Sequence, residues 1–372
     1  MDLIGPATIV SVAYIDPGNF GSNIAAGASY GLGLLWVVWL AGALAIMYQY
    51  IAGMLGLRTG RGLLGHLSAR APRLKPLYAP ALIAVALATD MAEFVGLIIG
   101  LELLFGLPLY LAVALGSIDV LLLLALGERG RRYYVAVGSL ASVVGLSFLI
   151  ELLLIRPNLY QVLYHSLIPE LGGGEALIAA SIIGATIMPH ALILHSHIAE
   201  GLDARTHKAQ TLYNLGIASA VNVAMQVVAA YALYGKGAPA LSEVPQILTP
   251  LYGPLAGTAF SVGLLASGLA SSAVSVQAGA LILEYVSGKS VPKYEARLIF
   301  RLANIGPAAA VLALGISPLA LLVYTQAILS LVLPLVIIPL ILFASKHVSR
   351  RLVAVAYAAA VPIILINALA LI

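Results

Sequence analysis

The stretch Tyr14-Ile15-Asp16-Pro17-Gly18-Asn19-Phe20 sets a carboxylate, a helix breaker and an amide inside a run that is otherwise apolar. A second stretch, Gly184-Ala185-Thr186-Ile187-Met188-Pro189-His190, puts a thioether before its own proline. A proline removes an amide donor and clashes with the preceding turn, and Gly18 has no side chain to restore regularity, so carbonyls near residues 13 to 16 and 185 to 188 lose helical partners. In hydrocarbon such carbonyls are tolerated only where they face a protein-lined cavity. They are hard oxygen ligands for a cation. Asp16 adds a charged oxygen, Asn19 a neutral one and Met188 a soft sulfur, so the chemistry these residues allow is cation coordination at mid-membrane. The plainer readings are a kink for each proline and core filling for the methionine. Asp16 resists a plain reading, because an ionisable group at such depth is costly and functional by default.

A second group suits proton movement. Asp90 and Glu93 stand three apart, on one face of a segment otherwise apolar from Pro76 to Gly100. Two carboxylates close together in a low dielectric resist joint ionisation, so one of them is expected to hold a proton more readily than in water. An internal salt bridge with Arg297 or Arg301 is the structural alternative and is compatible with a relay. His190 follows the second proline and could link the cation site to this path, orient backbone and water, or serve as a metal ligand. His195 is expected in an inner vestibule, whereas His66, His165, His197, His207 and His347 lie near loops and are expected to be solvated. Glu102 and Glu151 sit near segment ends and can snorkel. For Asp119, deep in an apolar run, polar packing is the expectation.

The elements that must position these groups follow from composition. The chain has 372 residues, 62% hydrophobic and 9% charged, and a mean hydropathy of +1.04. Soluble domains carry about a quarter charged residues. An all-α integral membrane protein is therefore expected, and the absence of strand alternation argues against a barrel. There is no cysteine, hence no disulfide or thiolate site. Met1-Asp2-Leu3 is not a basic leader, so no cleavable signal peptide is expected. Apolar runs predict eleven transmembrane helices near residues 3–29, 33–57, 76–105, 108–127, 133–155, 176–200, 210–235, 254–286, 294–314, 317–343 and 351–371.

Of the 19 lysines and arginines, all but Arg156, Lys236 and Arg301 fall in loops on the side that holds Met1. The positive-inside rule then predicts a cytoplasmic N-terminus and an extracellular C-terminus. The excess of basic residues is thereby explained by orientation, and nucleic acid is not an expected partner. The two proline breaks fall in the first and sixth spans. Interrupted helices at matching places in two halves point to a transporter of inverted repeats, with residues 1–155 as the first five-helix repeat, 176–343 as the second and 351–371 as a peripheral eleventh helix.

The motifs "YIDPGNF" and "ATIMPH" resemble the signatures of the Nramp family (natural resistance-associated macrophage protein), proton-coupled importers of divalent transition metals. Further similar stretches are "ATDMAEF" at 88–94, "GLELLFGLPL" at 100–109, "LHSH" at 194–197 and "TQAILSLVLPLVIIP" at 325–339. The resemblance implies a leucine-transporter-type fold with broken helices 1 and 6. It implies metal ligation by Asp16, Asn19 and Met188, by the carbonyls of Ala13 and Ala185, and in some states by Gln326. It also implies a polar path of Asp16, Asp90, Glu93, His190, His195, Arg297 and Arg301. The chain starts a few residues before Gly5-Pro6, so regulation through the longer N-terminal segment common in the family is not expected.

A thioether is a poor ligand for Mg²⁺ or Ca²⁺, which prefer all-oxygen shells, and a better one for Mn²⁺, Fe²⁺, Co²⁺ or Cd²⁺. The expected protein is a secondary transporter in the cell membrane, functional as a monomer, with no cofactor. Its expected cargo is Mn²⁺ or Fe²⁺ together with H⁺. Alternatives are a same-fold transporter of Mg²⁺ or of an amino acid or amine, an intramembrane metalloenzyme using Asp16, His190 and His195, and a channel. An enzyme is not expected, because no HExxH pair is present.

Overall fold

The structure, a computed structural model, describes residues 3–117, 131–170, 174–236 and 239–371. Among the described residues there are helices and no strands. The first expected span is two helices, α1 (Pro6–Ala13) and α2 (Pro17–Tyr30), interrupted at Tyr14, Ile15 and Asp16. There follow α3 (Leu35–Thr59), a short α4 (Leu63–Arg70), α5 (Lys75–Phe105) and α6 (Leu109–Ser117). The rest of the fourth span, Asp119 included, lies outside the described residues.

Next come α7 (Arg131–Ile155) and the short α8 (Leu159–Leu167). The sixth span is again double, α9 (Ala176–Thr186) and α10 (Pro189–Ile198). The remaining helices are α11 (Ala204–Leu233), α12 (Val244–Tyr252), α13 (Pro254–Ser287), α14 (Lys293–Ala313), α15 (Pro318–Ala344) and α16 (Arg350–Leu369).

Eight helical segments among the described residues are long and apolar enough to cross a membrane, which makes this a multi-pass membrane protein. The count of eleven is not reached by that measure. The first span is split into halves of 8 and 14 residues, each too short alone, and the fourth runs out of the described residues. The ninth expected span, α14, is a helix of 21 residues but is not among the eight.

Burial separates an inner group from an outer one. The most apolar stretches of α5 and α13 are 83% buried inside the protein and that of α9–α10 is 89%, against 22% for α7 and 28% for α16. The inner helices that carry the two breaks and the acids are thus sheathed by helices that face lipid. α13 packs along α5 and α7, α15 along α9 and α5, and α11 along α2 and α3. α16 is tied to this body by hydrogen bonds: the Tyr48 hydroxyl donates to the Ala356 carbonyl at 2.9 Å. Asn367 Nδ2 donates to the Ser330 carbonyl at 2.7 Å.

Three elements fall where only loops were expected: α4, α8 and α12. The segment holding α8 is clamped by two donors from the start of α3, Trp36 Nε1 to the Glu170 carbonyl at 3.1 Å and Trp39 Nε1 to Ser166 Oγ at 3.0 Å. Three side chains also depart from expectation. His66 is buried, bonded to Thr59 Oγ1 at 3.0 Å and stacked on Phe343. His207 is buried, with Nε2 bonded to the Tyr50 carbonyl at 3.1 Å and its ring stacked on Tyr50. Glu151 does not snorkel. Ser147, one turn before it, faces Gly263 of α13, so Glu151 also turns inward, where neither carboxyl oxygen has a hydrogen-bond partner among the described residues.

Candidate metal site

The prolines act at a definable distance. A helical carbonyl accepts from the amide four residues later. For Ala13 that residue is Pro17, and for Ala185 it is Pro189, neither of which has an N–H. The Ala13 carbonyl takes a substitute bond from the Asp16 amide at 3.2 Å. The Ala185 carbonyl instead accepts from a side chain of the other half, Asn19 Nδ2 at 2.8 Å. Two further carbonyls of the first break are held from outside it, Tyr14 by Asn222 Nδ2 and Ile15 by Ser267 Oγ, each at 2.6 Å. The break is therefore a fixed conformation.

Asp16 and Met188 occupy equivalent positions. Each is the N-cap of the second half-helix, in extended backbone, with a proline following at the first helical position. Asp16 Oδ1 accepts from the Asn19 amide at 2.7 Å and from Asn19 Nδ2 at 2.8 Å. One nitrogen of Asn19 thus lies 2.8 Å from both Asp16 Oδ1 and the Ala185 oxygen. Oxygens from two separate broken helices converge on a single point. Asn19 Oδ1 accepts from Thr186 Oγ1 at 3.3 Å, a further link between the breaks. Asp16, Asn19 and Met188 are buried. Among the described residues no basic side chain pairs with Asp16. The carbonyl ends of α1 and α9 both point here, and such ends favour positive charge.

α15 completes the enclosure. A Cβ at Gly18 would overlap the side-chain amide of Gln326, and one at Gly184 would overlap the Gln326 carbonyl and the Ser330 amide, so both glycines are needed for α15 to approach. Gln326 is buried, and its Oε1 has no hydrogen-bond partner among the described residues. An orphaned amide oxygen beside a break is free to serve as a ligand atom.

The acids of α5 form a separate cluster. Arg297 Nη1 donates to Asp90 Oδ1 at 2.6 Å and to Glu93 Oε2 at 3.1 Å, and Arg301 Nη2 lies 3.3 Å from Asp90 Oδ1. Asn304 Nδ2 donates to Asp90 Oδ2 at 2.9 Å, while Ser275 Oγ donates to Glu93 Oε2. Two acids face two guanidinium groups, so the cluster balances its own charge without a proton. The sequence argument from like-charge repulsion is weakened accordingly, and the salt bridge weighed as its alternative is present.

His190 stands between the two groups. Its Nδ1 bonds Thr89 Oγ1 at 3.1 Å, next to Asp90 in the chain. His195 is buried, with Nδ1 on Gln49 Oε1 at 2.8 Å and its ring edge against His207 at 5.1 Å. It belongs to a different cluster, on the side where α10 ends.

Sequence reasoning missed Ser275 and Asn304 as partners of the acids, and Ser272, whose Oγ accepts from Arg297 Nη2 at 2.7 Å. One signal was available, since Arg297, Arg301 and Asn304 fall at spacings of four and three and so share a helix face. For the serines of α13 there was none, because serine in a membrane helix commonly bonds its own backbone.

A family model described as natural resistance-associated macrophage protein-like matches residues 7–372. A divalent metal cation transporter of Deinococcus radiodurans is 38% identical over 364 residues, 93% of this chain and 82% of that protein. Among solved structures, a manganese transporter of Eremococcus coleocola in complex with an aromatic bis-isothiourea compound aligns with a TM-score of 0.87 at 28% identity. That alignment covers 98% of this chain and 84% of the other. A nucleobase-cation-symport-1 family transporter, Mhp1, in a closed conformation shares the fold, with a TM-score of 0.65 at 14% identity over 91% of this chain and 77% of the other. The chain belongs to the Nramp family.

Proposed function

We propose that the protein imports divalent transition-metal ions, Mn²⁺ or Fe²⁺ and also Co²⁺ or Cd²⁺, in company with protons, by alternating access. It is a transporter, with no catalytic group and no resident cofactor. The observation that carries this reading is the single Asn19 nitrogen within 2.8 Å of both Asp16 Oδ1 and the Ala185 carbonyl, because a position shared by oxygens of both breaks is a position for one cation. The ligands are Asp16, Asn19 (after its amide turns its oxygen inward), Met188 and the carbonyls of Ala13 and Ala185, with Gln326 joining in some states. The methionine sulfur disfavours the hard ions Mg²⁺ and Ca²⁺.

Protons travel by Asp16 and His190 toward Asp90 and Glu93, with Arg297 and Arg301 as the fixed counter-charges, and His195 lies on the inner exit. Residues 1–155 and 176–343 act as inverted repeats, a reading supported by the equivalent proline breaks and N-caps. The N-terminus is cytoplasmic, the C-terminus is extracellular, and one chain suffices. A carrier of amino acids is disfavoured, because a substrate carboxylate would meet Asp16. The deciding experiment is Mn²⁺ uptake into proteoliposomes under an imposed pH gradient, with Mg²⁺ and Ca²⁺ as competitors. Uptake should saturate, respond to the gradient and vanish in Asp16→Ala; uptake indifferent to the gradient, or intact in that variant, refutes the proposal.

A further inference from the structure

A groove of about 710 Å³ runs between α1, α7 and α11 on the outside of the helical body. Thr8 and Ser11 of α1 form its floor, Ser139 and Ser142 of α7 one wall, and Asn214 and Val221 of α11 the other. It opens toward lipid, since α7 is the least buried of the membrane-spanning helices.

Its polar side chains are engaged with nearby backbone. Ser139 Oγ donates to the Val135 carbonyl at 2.8 Å, Ser142 Oγ to Gly138 at 2.9 Å and Ser11 Oγ to Thr8 at 2.9 Å. Thr8 Oγ1 accepts from the Gly5 amide at 3.0 Å, and Asn214 Nδ2 donates to the Leu3 and Gln210 carbonyls, each at 2.9 Å. A site for water or a polar solute presents two to four open partners. Here the serine, threonine and asparagine donors are already committed and, among the described residues, only the tyrosine hydroxyls at its end are left, so the groove suits hydrocarbon.

Its length points to a lipid tail. The stretch of α11 that lines it runs from Tyr213 to Ala224, about 16 Å at a rise of 1.5 Å per residue, and that of α7 from Tyr134 to Leu152, about 27 Å, while the first segment lines it from Ile4, ahead of α1, to Ile15 in the break. In a hydrocarbon core of about 30 Å, the groove therefore runs on past the midplane along α7 and spans the leaflet on the side where the chain begins. At this end lie Tyr134 and Tyr213, a residue type that favours the bilayer interface. Arg132 is exposed two helical turns before Ser139 and on the same face of α7. Arg205 and Lys208 are exposed at the start of α11, where Asp203 is occupied in capping the Arg205 and Thr206 amides. Basic side chains at this depth attract anionic head groups.

We propose that the groove binds one acyl chain of an anionic phospholipid from this leaflet, with its head group on Arg132. The lipid then packs against α1, the short half-helix that ends at Ala13, and braces it against α7 and α11.

The test uses the full-length protein in detergent, with phosphatidylglycerol and phosphatidylcholine as probes, read by native mass spectrometry and by thermal melting. The wild type should retain one phosphatidylglycerol several-fold in preference to phosphatidylcholine and melt a few degrees higher when it is added. Ser142→Trp should lose both effects. Gly145→Leu is a second filling variant, since a Cβ there meets only Val221 at an ordinary contact of 3.5 Å. Arg132→Gln should keep lipid binding but lose the head-group preference. Lipid retained unchanged in both filling variants, or equal retention of the two head groups by the wild type, overturns the proposal. So does a dimer that the filling variants dissociate, which would assign the groove to a helix of a second copy.

Discussion

At the scale of single residues, the two half-helix caps divide the work between charge and softness. Asp16 supplies charge and Met188 supplies polarisability, and neither substitutes for the other. Met188→Ala should leave the protein folded and reduce discrimination of Mn²⁺ against Ca²⁺ by roughly tenfold, equivalent to about 1.4 kcal/mol. Competition uptake assays measure this directly, and unchanged selectivity would sink the softness argument. Asp90 has a different part. It is the acid on which Arg297, Arg301 and Asn304 all converge. Asp90→Asn leaves two buried guanidinium groups with one carboxylate, and breaking a buried pair costs about 3–5 kcal/mol. The variant should therefore melt at lower temperature and lose the acidification that accompanies Mn²⁺ uptake, read with a pH-sensitive dye inside proteoliposomes. Full acidification would remove Asp90 from the proton path. The spacing of Asp90 and Glu93 was legible in the sequence; their neutralisation was not, because the arginines lie some two hundred residues away and only the fold brings them together.

At the scale of elements, both interruptions could be located from the prolines, since loss of one N–H names the carbonyl four residues earlier. Restoring the donor is the sharpest challenge. Pro189→Ala would allow an amide at 189 to bond the Ala185 carbonyl, close the break and withdraw that oxygen from the site. Mn²⁺ uptake should fall on the order of tenfold or more, the equivalent of one ligand worth about 1.4 kcal/mol, and undiminished uptake would mean that the break is dispensable. The short helices α4 and α8 escaped notice because a search for apolar runs detects spans and overlooks helices of one or two turns. For α4 the consequence can be tested. His66 fixes it to Thr59 and Phe343, and burial, with Arg70, Arg61 and His347 nearby, pushes the imidazole below its ordinary value of 6.5. The undocked state binds the proton more readily than the docked one, so docking is complete above about pH 6.5 and is lost as pH falls toward the depressed value. Amide exchange in residues 63–70, corrected for its intrinsic pH dependence, should accelerate on acidification through this window. Equal protection on both sides of it would count against a role for His66 in holding α4.

At the scale of the whole molecule, the distribution of basic residues and the parity of the spans make one joint claim about orientation. Lysines and arginines gather at the ends of α3, α13 and α15 and at the starts of α5, α11 and α14, which all lie on one face if each of the eleven expected spans crosses once. The positive-inside rule turns that face to the cytoplasm. Because the natural chain has no cysteine, one introduced thiol reports one position without background. Lys236 follows α11 on the opposite face and is exposed, whereas Ser290 is exposed in the loop between α13 and α14. In intact cells a membrane-impermeant maleimide should label Lys236→Cys and spare Ser290→Cys until the membrane is opened. The reverse pattern would invert the molecule. Labelling of both in intact cells would mean that α13 does not cross the membrane, and the parity that makes the two halves mirror one another would fail with it.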